Sequence, residues 1–278
     1  PLPMARQYIL QRAPSAAGIR IDYAAELNPQ QHAAVTASPG PLLVIAGAGS
    51  GKTRTLTYRV AYLLENGVDP RNILLLTFTN KAARQMLDRV ANLLPVDSSG
   101  LWGGTFHSIG NRMLRRHGSA LGYSSGFTIL DREDQKDLID TVVSAAGMNP
   151  KEIRFPKGDV LADIFSFTVN TERSMEELLA EKFPYFLPLI EQIKDVHARY
   201  ERKKKSTNSM DFDDLLEKTL RMLKEHEEIA EFYRRQFQFI LVDEYPDTNK
   251  IQADFIDTLA VRHRKVQGGG DGERKSPR

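Results

Sequence analysis

No cysteine occurs anywhere in this 278-residue chain. Disulfides and thiolate metal centres are therefore excluded, which suits a reducing cytosol and a cytoplasmic protein. Long hydrophobic runs are missing too, none approaching the ~18 apolar residues of a membrane span, so no membrane role is expected. Charge of one sign is not in excess: 38 Lys and Arg against 36 Asp and Glu leave a formal +2. That balance neither requires nor forbids nucleic acid, and leaves room for a local basic face. No internal repeat is visible. The leader "PLPMARQYILQRAPSAAGIR" has no acidic residue, and its "YIL" is too short for a secretory core. Residues 1–20 read as a flexible leader in which Met4 is a candidate natural start, with a transit peptide as the alternative. What is present is ordinary for a globular protein: 41% hydrophobic and 27% charged residues, enough for one large domain or two modest ones.

The order of apolar patterns suggests an α/β protein. "PLLVIAG" reads as a buried strand over Leu42–Ile45, and "GKTRTLTYRVAYLLENG" as a helix with Leu56, Val60, Leu63 and Leu64 on one face and Gly67 as its cap. "NILLLTF" is a second continuous apolar strand, followed by the helix "NKAARQMLDRVANLL". Alternation of this kind predicts a parallel sheet flanked by helices. From about Asn111 to Lys205 helical signal dominates. "LDREDQKDLIDTVVSAAG" starts at a cap, Asp131, and stops at Gly147, while "PLIEQIKDVHARYERKKK" sets Leu189, Ile193, Val196 and Tyr200 on one face. These residues read as an inserted all-helical subdomain. The helix "DFDDLLEKTLRML" and the strand "FQFILV", Phe237 to Val242, then resume the α/β pattern. The final "QGGGDGERKSPR", 267–278, is Gly-rich and charged, as disordered tails are.

Between the first strand and its helix lies "AGAGSGKT". Small residues at Ala46, Gly47, Ala48, Gly49, Ser50 and Gly51 let successive N–H groups turn inward around phosphate oxygens at a helix N-terminus. In such a loop Lys52 reaches the β- and γ-phosphates and the Thr53 hydroxyl ligates Mg²⁺, so ATP and Mg²⁺ are the expected cofactors. A metal-holding acid and a base for water are sought next. "ILVDEYPDT" supplies both at the end of an apolar strand: Asp243 for Mg²⁺ and Glu244 to orient and deprotonate the attacking water.

At this point the residues resemble the amino-terminal part of a superfamily 1 DNA helicase of the UvrD, Rep and PcrA type. "LNPQQHAAV" resembles the family's Q motif, with Gln31 at the adenine-reading position. "AGAGSGKTRT" resembles motif I, "TFTNKAA" motif Ia and "GTFHS" motif Ib. "MDFDDLL" resembles the short acidic motif and "VDEYPDTN" motif II, so that the match brackets about residues 27 to 261. The resemblance implies a P-loop NTPase of RecA-like fold. Residues 21–111 and 205–266 would form the ATP-binding domain 1A, and 112–204 the helical domain 1B. It implies ATP-driven 3′→5′ translocation on single-stranded DNA with unwinding at single-strand/duplex junctions. It also sets Arg54 against the nucleotide, and Phe78, Asn80 and His107 along the strand.

Some of these residues have plainer readings. Phe78 ends an apolar strand and could equally be core; its functional reading is a base-stacking platform. His107 could be a satisfied polar residue near a strand end. Arg202 to Lys205 reads as a solvated helix end favouring the dipole, with phosphate contact as the alternative. His226 in "EHEEIAE" lacks zinc-site spacing, so no metal is assigned to it. The acids of "DFDDLL" read as a capped helix start that orients neighbours rather than a second metal site.

The chain also departs from the family pattern. Pro246 stands where motif II has Gln; proline fixes φ and removes an N–H. After Val266 the family's strand and the motif "GDxxQSIYxWRGA" give way to "QGGGDGERKSPR". The second motor domain, whose arginines are worth roughly 10³–10⁵ in rate, is not in this sequence. The expectation is therefore a chain near-inactive alone, the alternative being a non-catalytic ATP- and DNA-binding module that regulates a complete helicase.

Overall fold

The computed structural model describes residues 20–265 apart from 48, 96, 149–153 and 172. In chain order the elements begin with α1 (Tyr23–Glu26), α2 (Pro29–Thr36), α3 (Lys52–Glu65), β1 (Ile73–Thr77), α4 (Asn80–Leu93), β2 (Trp102–Thr105) and α5 (Phe106–His117). Then come β3 (Thr128–Ile129), α6 (Arg132–Ala145), α7 (Gly158–Thr171), α8 (Met175–Lys182) and α9 (Ile190–Ser206). The last are β4 (Ser209–Met210), α10 (Asp214–Glu225), α11 (Glu227–Gln236), β5 (Phe239–Val242) and α12 (Lys250–Lys265). The leader, apart from Arg20, and the tail over 267–278 lie outside the described residues.

The described residues fall into two compact units. The first runs up to Gly104 and includes Gln236–Asp243. Its sheet has the order β2-β1-β5, and β1 and β5 run parallel with Ile73 opposite Phe239 and Leu76 opposite Val242. Every residue of β1 is buried, as a central strand of continuous apolar character should be. Val60, Leu63 and Leu64 of α3 and Met86 and Val90 of α4 share one core cluster with Ile73 and Leu75. Full burial of each such side chain is worth about 1.5–3 kcal/mol.

The second unit comprises Thr105–Arg235 and the described residues from Glu244 onward. Ile139, Leu161, Phe165, Leu179, Ile193, Val196 and Tyr200 form its main core. Asp131 caps α6 by accepting from the Asp134 N–H, and Gly147 follows it at φ 73°, as the periodicity predicted. Helices α5 and α10 approach closely at Gly110, where a Cβ would lie 2.4 Å from the Leu215 carbonyl oxygen. The Thr219 hydroxyl donates to the Gly110 carbonyl at 3.2 Å across that contact.

The parallel sheet is thus found, compatible with a RecA-like helicase domain, but three expectations need correction. Leu42–Ile45 is not a strand: it has no regular structure, and its side chains are 47–89% exposed. An apolar run reports that a segment favours burial but does not supply the neighbouring edge that a strand needs. In the described sheet, of order β2-β1-β5, the segment pairs with neither edge strand, and β5 is only partly buried. The region expected to be all-helical carries β3, whose two residues pair in parallel with β4 in a separate sheet. Two-residue strands leave no periodic signature. Finally, Lys204 belongs to no solvated helix end; it is 1% exposed, drawn inward by carboxylates.

Candidate functional site

In the first unit the phosphate loop leads into α3. Gly51 is the residue before Lys52 and takes a left-handed conformation, φ 85°, which glycine adopts without steric cost. Gly49 is also left-handed, φ 76°. Lys52 and Thr53 occupy the first turn of α3, where unsatisfied N–H groups and the helix dipole favour an anion. Ala46 and Gly47 are described and Ala48 is not. The loop makes bonds of its own, the Ser50 N–H and hydroxyl both donating to the Gly47 carbonyl at 3.3 and 2.6 Å.

Gln31 is brought to this loop. Its amide nitrogen donates to the Ser50 carbonyl at 3.0 Å, while its oxygen accepts from the Asn28 N–H in a capping box that starts α2. Arg54 follows in the same turn of α3. Its guanidinium donates to the Glu26 carboxylate and carbonyl, each at 2.9 Å, and lies 5.0 Å from the Tyr58 ring centroid.

Asp243 is buried immediately after β5, and its N–H donates to the Leu76 carbonyl at 2.9 Å. It therefore stands at the carboxyl end of the parallel pair β1 and β5, where α/β sheets place ligands. The end of β1 leads to half-buried Phe78 and to exposed Asn80 in the first turn of α4. The Asp243 carboxylate, the Thr53 hydroxyl and the Lys52 ammonium are of the chemical types that hold a hard divalent cation and phosphate.

The second unit begins again at Glu244, which is exposed and left-handed at φ 55°, ψ 42°. Left-handed backbone at a non-glycine residue costs about 1–3 kcal/mol and clusters at functional sites.

In the same unit His107, in the first turn of α5, stacks on Phe212, with ring centroids 4.0 Å apart and planes inclined by 18°. Phe212 is 58% exposed. Burial holds the His107 pKa below its ordinary value against the opposing pull of Asp213, so the ring is neutral at pH 7. Sequence reasoning missed Phe212. Its signal was an aromatic residue inside the acidic run "DFDD", where no helical or strand period requires one.

The acids around Phe212 are occupied. Lys204 Nζ lies 2.7 Å from Asp211, Asp214 and Glu201 alike, and Lys218 Nζ lies 2.9 Å from Asp214. The Asp211 and Asp214 carboxylates also accept each other's backbone N–H at 2.9 Å. The Lys204 ammonium thus fills the position a cation would take among these acids. Glu201 and the partly exposed Glu217 also face Lys218, at 3.4 and 3.6 Å, so acids outnumber the two ammonium groups. Burial and the neighbouring Asp211 charge push Asp214 up to about 6. Burial also acts to raise Asp211, but Lys204 overcomes it and holds that carboxyl below its usual range.

Residues 27–273 match the family described as UvrD/REP helicase N-terminal domain. The chain is 42% identical over 248 residues to the ATP-dependent DNA helicase PcrA of Bacillus subtilis, covering 89% of this chain and 33% of that protein. It is 38% identical over the same span to the PcrA of Staphylococcus aureus strain Mu50. The chain spans about a third of the length of these relatives. With its phosphate loop, its acid at a parallel-strand end and a match over most of its length, this chain belongs to the UvrD/Rep helicase N-terminal domain family.

Proposed function

We propose that this chain is the ATP-binding amino-terminal portion of a cytoplasmic 3′→5′ DNA helicase, with residues 21–111 and 205–266 as its RecA-like domain 1A and 112–204 as helical domain 1B. The observation that carries the nucleotide half is the left-handed Gly49 and Gly51 leading into the N-terminus of α3. The loop 46–51 and Gln31 bind Mg-ATP, Lys52 neutralises the β- and γ-phosphates, and Thr53 and Asp243 hold Mg²⁺. The metal supplies charge compensation on the phosphates. Glu244 orients water and takes its proton. The exposed Phe212, stacked on neutral His107, supports the single-strand half, because aromatic faces grip bases without sequence preference. Phe78 and Asn80 are the strand-contacting residues of the first unit. Arg54, the arginine next to the loop in sequence, is engaged by Glu26. Compensation in the transition state then rests on Lys52, and hydrolysis by this chain alone stays near background.

The test is calorimetry with Mg-ATP together with anisotropy of a labelled oligo-dT. Lys52→Ala should abolish nucleotide binding and leave oligonucleotide binding intact. Oligonucleotide affinity should fall steeply with salt as phosphate contacts release counterions. An unchanged ATP affinity in Lys52→Ala rejects the phosphate-loop assignment.

A further inference from the structure

Asn249, Asn170 and Asp213 come from three separate stretches of the chain, yet their side chains form one hydrogen-bonded line. Asn249 Nδ2 donates to Asn170 Oδ1 at 3.2 Å, and Asn170 Nδ2 donates to Asp213 Oδ1 at 2.9 Å. Both ends fix the direction. An ionised carboxylate only accepts, so Asn170 must turn its NH₂ to Asp213. At the other end the Asn249 oxygen is taken by the Gln252 N–H at 3.0 Å, while Gln252 Oε1 accepts the Asn249 N–H at 3.1 Å. This capping box starts α12 and leaves the Asn249 NH₂ facing Asn170.

Each end of the line sits at a proposed working part. Asn249 follows Glu244 by a 3₁₀ turn over Tyr245–Asp247. Asp213 follows Phe212 directly and bears electrostatically on His107. Asp213 precedes α10 without making a side-chain cap bond to it. Its carboxylate is committed to Asn170 instead. On the other side of Phe212, Asp211 is held by Lys204 and by the Tyr200 hydroxyl, at 2.7 and 2.8 Å. On one flank the Asp211 side chain is thus held by buried charge; on the other the Asp213 and Phe212 carbonyls accept N–H groups of the first turn of α10, at 3.1–3.3 Å, and the Asp213 side chain is oriented by the Asn170 amide.

We propose that Asn170 is a positioning residue that ties the Phe212–His107 platform to the segment Glu244–Asn249, so that rearrangement around Glu244 is felt as altered grip on a single strand. A hydrogen bond of 3.2 Å is lost within a few tenths of an ångström of further separation, so a small shift of Asn249 suffices. The grip half of this proposal rests on the single-strand reading of the platform given above.

The experiment uses the full chain labelled at histidine with ¹³C and ¹⁵N, because a Phe212 ring at 4.0 Å imposes a ring-current shift on His107. Asn249→Ser keeps a helix-capping oxygen but removes the amide donor. Asn170→Ala removes the central link. In both variants the His107 ring resonances should move while those of His32 and His226 stay, and oligo-dT affinity should fall about threefold to tenfold, the worth of one hydrogen bond. His107 resonances unmoved in the folded variants overturn the proposal. Should Asn170→Ala fail to fold, Asn249→Ser, which keeps its cap, carries the test alone. Resonances that move while oligo-dT affinity is unchanged leave the tie standing and overturn the single-strand reading instead.

Discussion

Around the phosphate loop, in the first unit, little holds the chain: Leu42–Ile45 lie open to solvent, Ser50 folds back on Gly47, and Arg54 is drawn to Glu26. Around Phe212, in the second unit, Lys204 and Lys218 lock three carboxylates, and an amide line continues to Asn249. The nucleotide region draws on backbone conformation and small residues, which cost little to rearrange around a ligand. The platform region draws on buried charge, which is costly to disturb and sets one ring in one place. On the proposed reading, a segment that closes on a nucleotide and a surface that meets a strand preformed call for opposite physics.

Breaking the lock should give the largest effect. Lys204→Met leaves buried carboxylates uncompensated and should cost about 3–5 kcal/mol in urea unfolding at pH 7. A carboxyl whose folded pKa is raised favours the folded state at low pH and loses that contribution as pH rises. The variant should accordingly recover stability as pH falls from about 6 toward 4. In the parent chain Asp214, raised to about 6, follows that sign, while Asp211, held low, contributes stability that is lost as pH falls. A variant curve parallel to the parent over this range would show that the ammonium is not what the acids need. Next in size is Phe212→Ala, which should weaken oligo-dT binding by about 1–3 kcal/mol, the worth of one stacked base. Since that ring is 58% exposed, unfolding should hardly register its loss.

How much of this was legible in the sequence follows the same division. Local rules found the helices, since caps and 3.6-residue spacing are written into adjacent residues: Asp131 caps α6, and Ile193, Val196 and Tyr200 bury one face of α9. The candidate phosphate loop and Asp243 stood out in the sequence because the chemistry proposed for them needs fixed residue types in order. Lys204 was misread because its surroundings are set by Asp211 and Asp214, which lie beyond the turn that follows α9. Asn170 carried no signal at all. It lies within α7, and its partners stand 43 and 79 residues away in sequence.

A smaller effect is expected in the first unit. Gly51→Ala places a Cβ in left-handed backbone, a cost of roughly 1–2 kcal/mol, and 2.8 Å from the Gln31 amide nitrogen. The amide is the far end of a flexible side chain and can withdraw, so Gln31→Ala in the same chain should relieve the contact but not the backbone strain. Mg-ATP affinity measured by calorimetry should fall in Gly51→Ala and be only partly restored in the double variant. Full restoration would mean that φ at Gly51 is unimportant and that crowding alone matters.

The smallest effect, that of Leu43→Ala set against Leu75→Ala as its buried reference, bears most directly on the contrast between the open loop region and the packed interior. Leu43 and Leu75 are the same residue in two apolar runs that sequence alone cannot tell apart. Leu75 is fully buried in β1, whereas Leu43 is 67% exposed. Leu75→Ala removes packed methyl groups and leaves a cavity, at about 2–5 kcal/mol. Leu43→Ala removes groups that already face water, so it should stay within about 0.5 kcal/mol. Both variants differ from the parent by the same atoms, so the ratio of their effects in urea unfolding measures burial rather than chemistry. A Leu43→Ala cost approaching that of Leu75→Ala would place the 42–45 segment inside a sheet in solution. The thin hold on the phosphate loop would then be replaced by a strand anchored directly ahead of it.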